Sequence, residues 1–352
     1  MIVTPSSFSS RTFSSGIPDV SVRTSADRLH VVISVNGYGE IFNEYLYPVG
    51  GLVTIEELDI LMTPYARRLL VAPTAINITE ENVDSSGEAT TVSTLLLTTD
   101  VIFCIADTGT TADDYCSRFF LTLLRGSKRT ALGRLEYLHF IGNETASVTA
   151  SYDDGSSQTF QATRVGGNSY YSTLDVSADR YVSEGKGLVS YTVNAGNRQM
   201  TFEIDPEASD AAPILRFVNS FGCEELIYCT GKHVVSPEYK RQQVRVGRNL
   251  RQYDIRETRT FKADTGVLTV AEQNWVDDLF RSQEVTVFNI YNGVPTEGKA
   301  VVITSSKSEV SNEDDALTRF TFDYEYAQRN HNVLQLQREG RIFDNTFDFT
   351  FN

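Results

Sequence analysis

The sequence predicts a mainly β protein made of two or three β-sandwich or barrel-like units, two of them each with one short capped helix. Apolar and polar residues alternate over many short stretches, which is the period of half-buried strands. The 20 Phe and 17 Tyr residues favour pleated surfaces. At 352 residues, the chain is long enough for two or three domains.

The first part of the chain predicts an arm followed by a hairpin. Residues 1–24 are rich in Ser and Thr, so we expect a flexible N-terminal arm or an extended strand that docks on a neighbouring molecule. A first β unit is predicted over 25–144. Its first strand is the apolar stretch 29–35, its turn is the Asn-Gly segment 36–39 and its return strand is 40–47.

A short helix is predicted next, because Thr54 and Glu57 have the spacing of a capping box. Ile55, Leu58, Leu61 and Met62 would form its apolar face, and Pro64 would end it. Further strands are predicted beyond this helix, and two of them are expected to pair with each other. They lie at 91–106, 118–124, 134–141 and 145–152, with the last two as the pair.

A middle β-hairpin region is predicted over 145–207, with turns at 152–155 and 194–197. Residues 199–204 alternate as a strand does, and the acidic, Pro-containing stretch 205–210 predicts a linker.

The C-terminal β unit is predicted over 208–352. Its helix, 270–281, begins at a second capping box formed by Thr269 and Glu272. Val276, Leu279 and Phe280 would face its core. The strands of this unit are predicted at 214–218, 224–229, 239–262 (two long strands broken near 247–249), 284–290, 300–304 and 318–326.

The two helix starts resemble each other, because 51–57 and 266–272 share glycine, two aliphatic residues, threonine, a β-branched residue and a final glutamate. This pattern indicates either an internal duplication or two unrelated capped helices.

The composition and motifs exclude several functions. The net charge of −15 disfavours nucleic acid and anionic membranes as partners. We find no nucleophile-elbow, zinc-protease, P-loop or dinucleotide motif, so we expect no enzyme activity, no cofactor and no metal. The acidic pairs 153–154, 277–278 and 314–315 lie adjacent in sequence, and adjacency does not place two carboxyls across a cleft. Calcium at 153–155 or 312–315 is a weak alternative.

The four cysteines have no metal-ligand spacing. Cys223 and Cys229 flank a predicted hairpin, and they are interpreted as buried thiols in preference to a disulfide. The start of the chain lacks a charged segment followed by an apolar run, and no stretch approaches the length of a membrane span. We therefore expect the protein to be made in the cytoplasm and to stay there or to leave it inside a particle.

One basic segment stands out in this acidic chain. Residues 232–262 contain nine Lys or Arg and three acids, a net of +6. Three interpretations remain open: a solvated outer face, an assembly contact with the acidic surface of a neighbouring copy, or a lining near passing DNA. The candidate assembly contacts are Lys240, Arg241, Arg245, Arg248, Arg251, Arg256 and Arg259.

The segment 287–330, together with the helix before it and the stretch 44–48, resembles virion structural proteins from phages and prophages of Bacteroidetes hosts. The resemblance implies a tail, tail-tip or baseplate component that assembles as a ring in the virion. Its partners would be copies of itself and other virion proteins, with nucleic acid present only as the passing genome. A receptor- or glycan-binding module at the tail tip is the alternative, in which Tyr45, Tyr47, Tyr170 and Tyr171 would stack on sugars.

Overall fold

A computed structural model describes residues 1–206, 211–291, 294–307 and 318–328. The chain is mainly β, with 54% of the described residues in strands and 12% in helices. It contains two compact units: unit 1 comprises 1–206 and 218–225, and unit 2 comprises 207–217 and 226–352. The sheets form sandwich-like layers, and no described sheet closes on itself, so the barrel alternative is wrong.

Unit 1 contains four sheets. Their orders are β1-β3-β6, β2-β8-β7-β4-β5, β12-β11-β15-β16-β9 and β10-β14-β13. The strands are β1 (Ile2–Thr4), β2 (Arg11–Phe13), β3 (Val20–Arg23), β4 (Arg28–Val35), β5 (Gly39–Leu46), β6 (Leu52–Ile55), β7 (Val71–Val83), β8 (Ala89–Ile102), β9 (Ser127–Thr130), β10 (Tyr137–Ile141), β11 (Ala146–Tyr152), β12 (Ser157–Gln161), β13 (Thr163–Gly167), β14 (Tyr171–Asp175), β15 (Leu188–Ala195) and β16 (Arg198–Ile204).

The first predicted hairpin is confirmed. In β4, Leu29, Val31, Ile33 and Val35 are buried while the residues between them are partly exposed, as the alternation requires. β5 pairs antiparallel with β4 and has no second neighbour in the described sheet.

The expected flexible arm is wrong, because residues 1–24 belong to unit 1. β1 pairs with β3, and β2 pairs in parallel with β8. Val3, Phe13 and Val20 are buried. The segment contributes to the core because these apolar residues are buried among its polar ones.

The first predicted helix begins later than expected and is not closed by the Thr54 capping box. Thr54 lies in β6, where its neighbours Val53 and Ile55 are buried, so strand alternation prevails over the cap. Helix α1 spans Leu58–Leu69 and contains Pro64 in its interior. Its N-cap, Glu57, has a φ of 59° and makes no side-chain cap.

A second helix in unit 1 was not predicted. α2 spans Ala112–Arg118, and the Thr111 hydroxyl accepts a hydrogen bond from the Asp114 backbone N–H at 3.3 Å. The strand expected at 118–124 is therefore wrong. Two further short turns are 3₁₀ helices, at Ser14–Gly16 and Ala178–Tyr181.

The middle region forms the predicted turns but a different pairing. The β11–β12 and β15–β16 hairpins close at the expected positions. However, β10 pairs with β14, and β11 pairs with β12 and β15, so the expected pairing of 134–141 with 145–152 is wrong. The predicted linker falls at the boundary between the two units, and its residues 207–210 lie outside the described residues.

A distant segment completes unit 1. The backbone N–H of Ile105 donates to the Ser220 carbonyl at 3.0 Å, and the Asn219 side-chain amide donates to the Leu121 carbonyl at 2.8 Å. Phe221 is fully buried with Tyr115 in an apolar cluster. Unit 1 thus depends on residues that follow the first strand of unit 2.

Unit 2 contains one seven-stranded sheet with the order β18-β17-β21-β22-β23-β20-β19. Helix α3, Val270–Arg281, has the predicted capping box at Thr269 and Glu272. Its strands are β17 (Ile214–Val218), β18 (Glu224–Tyr228), β19 (Val234–Val246), β20 (Asn249–Asp264), β21 (Val285–Tyr291), β22 (Val294–Lys307) and β23 (Thr321–Tyr326).

The core of unit 2 confirms the predicted face of α3. Val276 and Leu279 are fully buried, and Trp275 joins them. Phe280 is half-buried, with its ring centroid 6.0 Å from that of Phe320. The possible duplication is not supported, since Thr54 lies within a strand whereas Thr269 caps a helix.

All four cysteines are buried free thiols, as interpreted from the sequence. Cys223 and Cys229 do not face each other across a hairpin, because they lie just before and just after the strand β18. Among the described residues, no helix has the length and apolar character that crossing a bilayer requires.

Candidate interaction surface

The basic segment forms a long two-stranded projection. β19 and β20 pair from Val234–Lys262 to Val246–Asn249, whereas β23 pairs with β20 only over Thr260–Asp264. We call residues 236–259, which lie beyond that third strand, the ribbon. Each of its strands is about 35 Å long at roughly 3.3 Å per residue. In the described sheet, both edges of the ribbon lack a strand partner.

A two-residue turn connects the strands of the ribbon. Gly247 has a φ of 62°, whereas Arg248 is not among the residues with positive φ. This is the pattern of a type II′ turn, which has glycine at its first central position and matches the twist of a hairpin. The turn fixes the register, with Arg245 opposite Leu250 and Arg251 opposite Val244.

The register decides which cations share a face. Residues directly opposite each other lie on the same face of a sheet, so Arg245 and Arg251 lie on opposite faces of the ribbon. Arg241 shares the Arg245 face. Lys240 shares the Arg251 face, and Arg248 lies in the turn.

A bulge at Tyr253 shifts the pairing beyond it. The shift places Arg259 opposite Pro237, on the Arg245 face. It places Arg256 opposite Lys240 in the backbone register, and the side chain of Arg256 lies outside those described. The candidate cations are therefore brought together on one ribbon, but on both of its faces.

Three ribbon arginines carry no ion pair within the described part of the chain: Arg245, Arg248 and Arg251. The others have local contacts. Arg259 pairs with Glu257, and this contact raises the pKa of Arg259. The Arg241 guanidinium lies 5.1 Å from the Tyr239 ring centroid.

Lys240 lies 3.8 Å from Glu238, and both side chains are exposed. Such an exposed pair holds the lysine only weakly. The unpaired positive charge is thus concentrated at the end of the ribbon that is farthest from β23.

The ribbon also exposes apolar side chains, which no sequence pattern indicated as part of a site. Each is at least 41% exposed. An isolated two-stranded hairpin is only marginally stable in water, and grouped exposed apolar residues mark contact surfaces. A covering partner would bury them. They are Tyr239, Val244, Val246, Leu250, Tyr253 and Ile255.

The described histidines make structural contacts. His139 is half-buried, and burial lowers its pKa to about 4. Its Nε2 lies 3.0 Å from the Glu224 carbonyl and its Nδ1 lies 3.0 Å from the Thr173 hydroxyl. Because a carbonyl only accepts, Nε2 carries the proton and Nδ1 accepts from Thr173. His233 stacks on Tyr324, and His331 lies outside the described residues.

The acidic pairs also have local partners. Asp154, in a turn, accepts hydrogen bonds from Ser156, which together with Lys186 lower its pKa to about 2. Asp277 pairs with Arg281 within α3, and the predicted loop 312–315 lies outside the described residues. Within the described ranges, no group of three or more His, Cys, Asp or Glu residues is placed to hold a metal.

The tyrosines considered for sugar binding differ in exposure. Tyr47 is 66% exposed. Tyr45 is 44% exposed, with its ring stacked 4.5 Å from that of His30 and its centroid 4.1 Å from the Arg28 guanidinium. Tyr170 and Tyr171 are partly buried against an apolar cluster. Only the first two are open enough to stack on a ligand.

Comparison with protein-family models and with curated proteins finds no match. The candidate surface is therefore defined by its own geometry: a projecting ribbon with two free edges, cations on both faces and exposed apolar side chains.

Proposed function

We propose that this protein is a structural, non-catalytic component of a phage tail, tail tip or baseplate that assembles with copies of itself into a ring. The observation that carries the self-assembly is the ribbon. A two-stranded projection that exposes six apolar residues gains stability when another surface covers it. Free backbone edges allow pairing with a strand of another molecule.

The virion setting is supported by the sequence resemblance of 287–330. In this setting the partners are other copies and other virion proteins, and the location is the virion after assembly in the host cytoplasm. Assembly through unlike surfaces generates closed rings when the rotation between copies closes. An acidic chain with one basic projection has the unlike surfaces that such a contact uses.

The mass of the purified protein tests the self-assembly. We expect native mass spectrometry and light scattering to give a hexamer or a larger species whose population rises with protein concentration. A monomer at every concentration would contradict the proposal. Electron microscopy of the assembled fraction would show whether the species is a closed ring.

The alternative is a receptor- or glycan-binding module, which the exposed Tyr45 and Tyr47 favour because aromatic rings stack on sugars. A glycan array decides between the two functions when it is combined with the mass measurement. A monomer that binds glycan through these tyrosines, and loses binding when both are replaced by alanine, would favour the alternative.

A further inference from the structure

We infer that the ribbon of one copy docks along the free edge of β5 in a second copy, so that its positively charged end lies beside Glu40 and Glu44. This inference rests on the proposed self-assembly and names its contact. The ribbon belongs to unit 2 and β5 to unit 1. The contact therefore joins unlike surfaces, as a ring requires.

β5 provides an edge that a second strand can extend. It is the last strand of its sheet and pairs only with β4 within the described residues. A strand edge presents a row of unpaired N–H and C=O groups. The free edges of the ribbon present the complementary row, and pairing between them satisfies both.

The acids on β5 lie on both faces of that strand. Glu44 lies opposite Val31 on the face of the sheet that covers the core, whereas Glu40 lies opposite Ser34 on the other face. A bulge at Ile41 separates the two registers and produces this split. The strand therefore presents one carboxylate on each face.

The ribbon likewise carries cations on both faces, because Arg245 lies on β19 and Arg251 lies on β20 on the opposite face. In one continuous sheet, only one of these arginines would lie in the strand next to β5, and the other would lie one strand further away. Cross-strand pairs of opposite charge stabilise a sheet, and like charges destabilise it. The positive charge of the ribbon therefore favours docking beside the carboxylates of β5.

The charged groups on both sides are free to pair. Glu44 is exposed and has no ion pair in the described part of the chain. Glu40 is exposed and accepts only a hydrogen bond from Asn43, at 2.9 Å. The same holds for Arg245 and Arg251, which are exposed and lack ion pairs there. Docking therefore breaks no existing ion pair of these four residues.

A second copy fits this surface better than nucleic acid does. The whole chain carries −15 and the segment 232–262 carries +6, so the remaining residues carry −21. Another copy therefore offers an acidic surface to the ribbon, whereas it repels a polyanion. The apolar side chains Leu250 and Tyr253 on the ribbon and Tyr45 on β5 are exposed on both partners and would be covered together.

Charge reversal on the ribbon tests the contact. We expect Arg245→Glu/Arg251→Glu to raise the dissociation constant of the assembly by about twofold to thirtyfold, because at least one attractive cross-strand pair becomes repulsive, at roughly 0.2–1 kcal/mol for the attraction lost and again for the repulsion gained. Sedimentation velocity over a concentration series measures this. The matched control is Arg23→Glu/Arg68→Glu, which changes the net charge equally at two exposed arginines of unit 1 and should leave assembly unchanged.

A complementary pair of variants makes the test specific. Glu40→Lys/Glu44→Lys should weaken assembly by itself, as the ribbon variant does. Mixing the two variants should restore assembly, because each then offers the charge that the other lacks on both of its surfaces. Circular dichroism confirms that each variant is folded before it is mixed.

The outcomes separate this inference from the proposed function. A wild-type protein that stays monomeric overturns both. An assembly that is insensitive to the ribbon variant, or a mixture that is not restored, overturns the β5 contact and leaves self-assembly in place. Ribbon-dependent binding of duplex DNA by the wild-type protein, with assembly unchanged in the ribbon variant, also overturns the β5 contact.

Discussion

Replacement of Lys128 by methionine is expected to destabilise unit 1 by about 3 kcal/mol, because it breaks a buried ion pair. The Lys128 Nζ lies 2.6 Å from the Glu136 Oε2, and the two side chains are only 9% and 3% exposed. The other oxygen of the carboxylate accepts from the Thr130 hydroxyl at 2.9 Å. In the variant the carboxylate retains that neutral donor but loses its counter-charge.

A double variant separates the lost pair from the lost volume. Lys128→Met/Glu136→Met removes both charges and retains an unbranched apolar chain at each site. The double variant should lower the free energy of unfolding by about 1 kcal/mol, mainly because the Thr130 hydroxyl loses its hydrogen-bond acceptor. The double variant should therefore be more stable than the single one, although it carries one more substitution.

Urea unfolding measures both variants and provides an internal control. The only tryptophan, Trp275, is buried in unit 2, so its fluorescence reports that unit, while far-UV circular dichroism reports the whole chain. We expect the dichroism transition of unit 1 to shift and the fluorescence transition to stay. A single variant that costs less than about 1 kcal/mol, or a double variant that is less stable than the single one, would show that the buried Glu136 carboxylate does not depend on Lys128 as its counter-charge.

Three further predictions concern pH, capping and a close backbone contact. His139 has a pKa of about 4 in the folded protein and 6.5 in the unfolded chain, so it contributes stability that is present above pH 6.5 and is lost as the pH falls towards 4. Between pH 7 and 5, the free energy of unfolding of the wild type should therefore fall by about 2 kcal/mol more than that of His139→Gln, as measured by urea unfolding. Equal decreases in the two proteins would contradict this prediction. Thr269→Ala should lower the free energy of unfolding by about 1 kcal/mol in the transition that Trp275 reports, because it removes a helix cap. Thr54→Ala should not lose a cap in this way, since Thr54 lies in a strand and caps no helix. Equal decreases for the two variants would argue against the assigned start of α1. Gly222→Ala should lower the melting temperature of unit 1, because Gly222 has a φ of 75° and an added Cβ would lie 2.9 Å from the Phe103 ring. An unchanged melting temperature would show that the loop relaxes freely.

Local signals in the sequence were sufficient to predict several secondary-structure elements. The β4–β5 hairpin follows from strict alternation around an Asn-Gly turn, and α3 follows from a capping box ahead of an apolar stripe. The same capping pattern misplaced the start of α1, because Thr54 lies between two buried strand residues. Burial on a sheet outweighs one cap, and the sequence does not show which neighbour supplies that sheet.

Pairings between residues that are distant in sequence could not be predicted from local signals. β10 pairs with β14 rather than with its neighbour in sequence, and β2 pairs with β8 across almost ninety residues. No turn signal encodes such partners. The short cap of α2 at Thr111 was visible in principle, as a threonine followed by two acids.

The candidate surface was predicted in part. The cations of 232–262 were identified by their charge, but their faces depend on the turn at Gly247 and the bulge at Tyr253. A bulge reverses the parity of all later residues, so no count of odd and even positions could assign them. The exposure of Leu250 and Ile255 also depends on where β23 ends.

The segment 218–225 has a consequence for biosynthesis. Because Phe221 fills a cluster of unit 1 and Ser220 bonds to Ile105, a nascent chain that has emerged only to residue 206 lacks part of its first core. The ribosome adds roughly 5–20 residues per second, so these residues are synthesised within a few seconds, but only after the first strand of unit 2. The core of unit 1 therefore cannot be completed before synthesis of unit 2 has begun. A fragment that ends at the apparent domain boundary would keep an open apolar site.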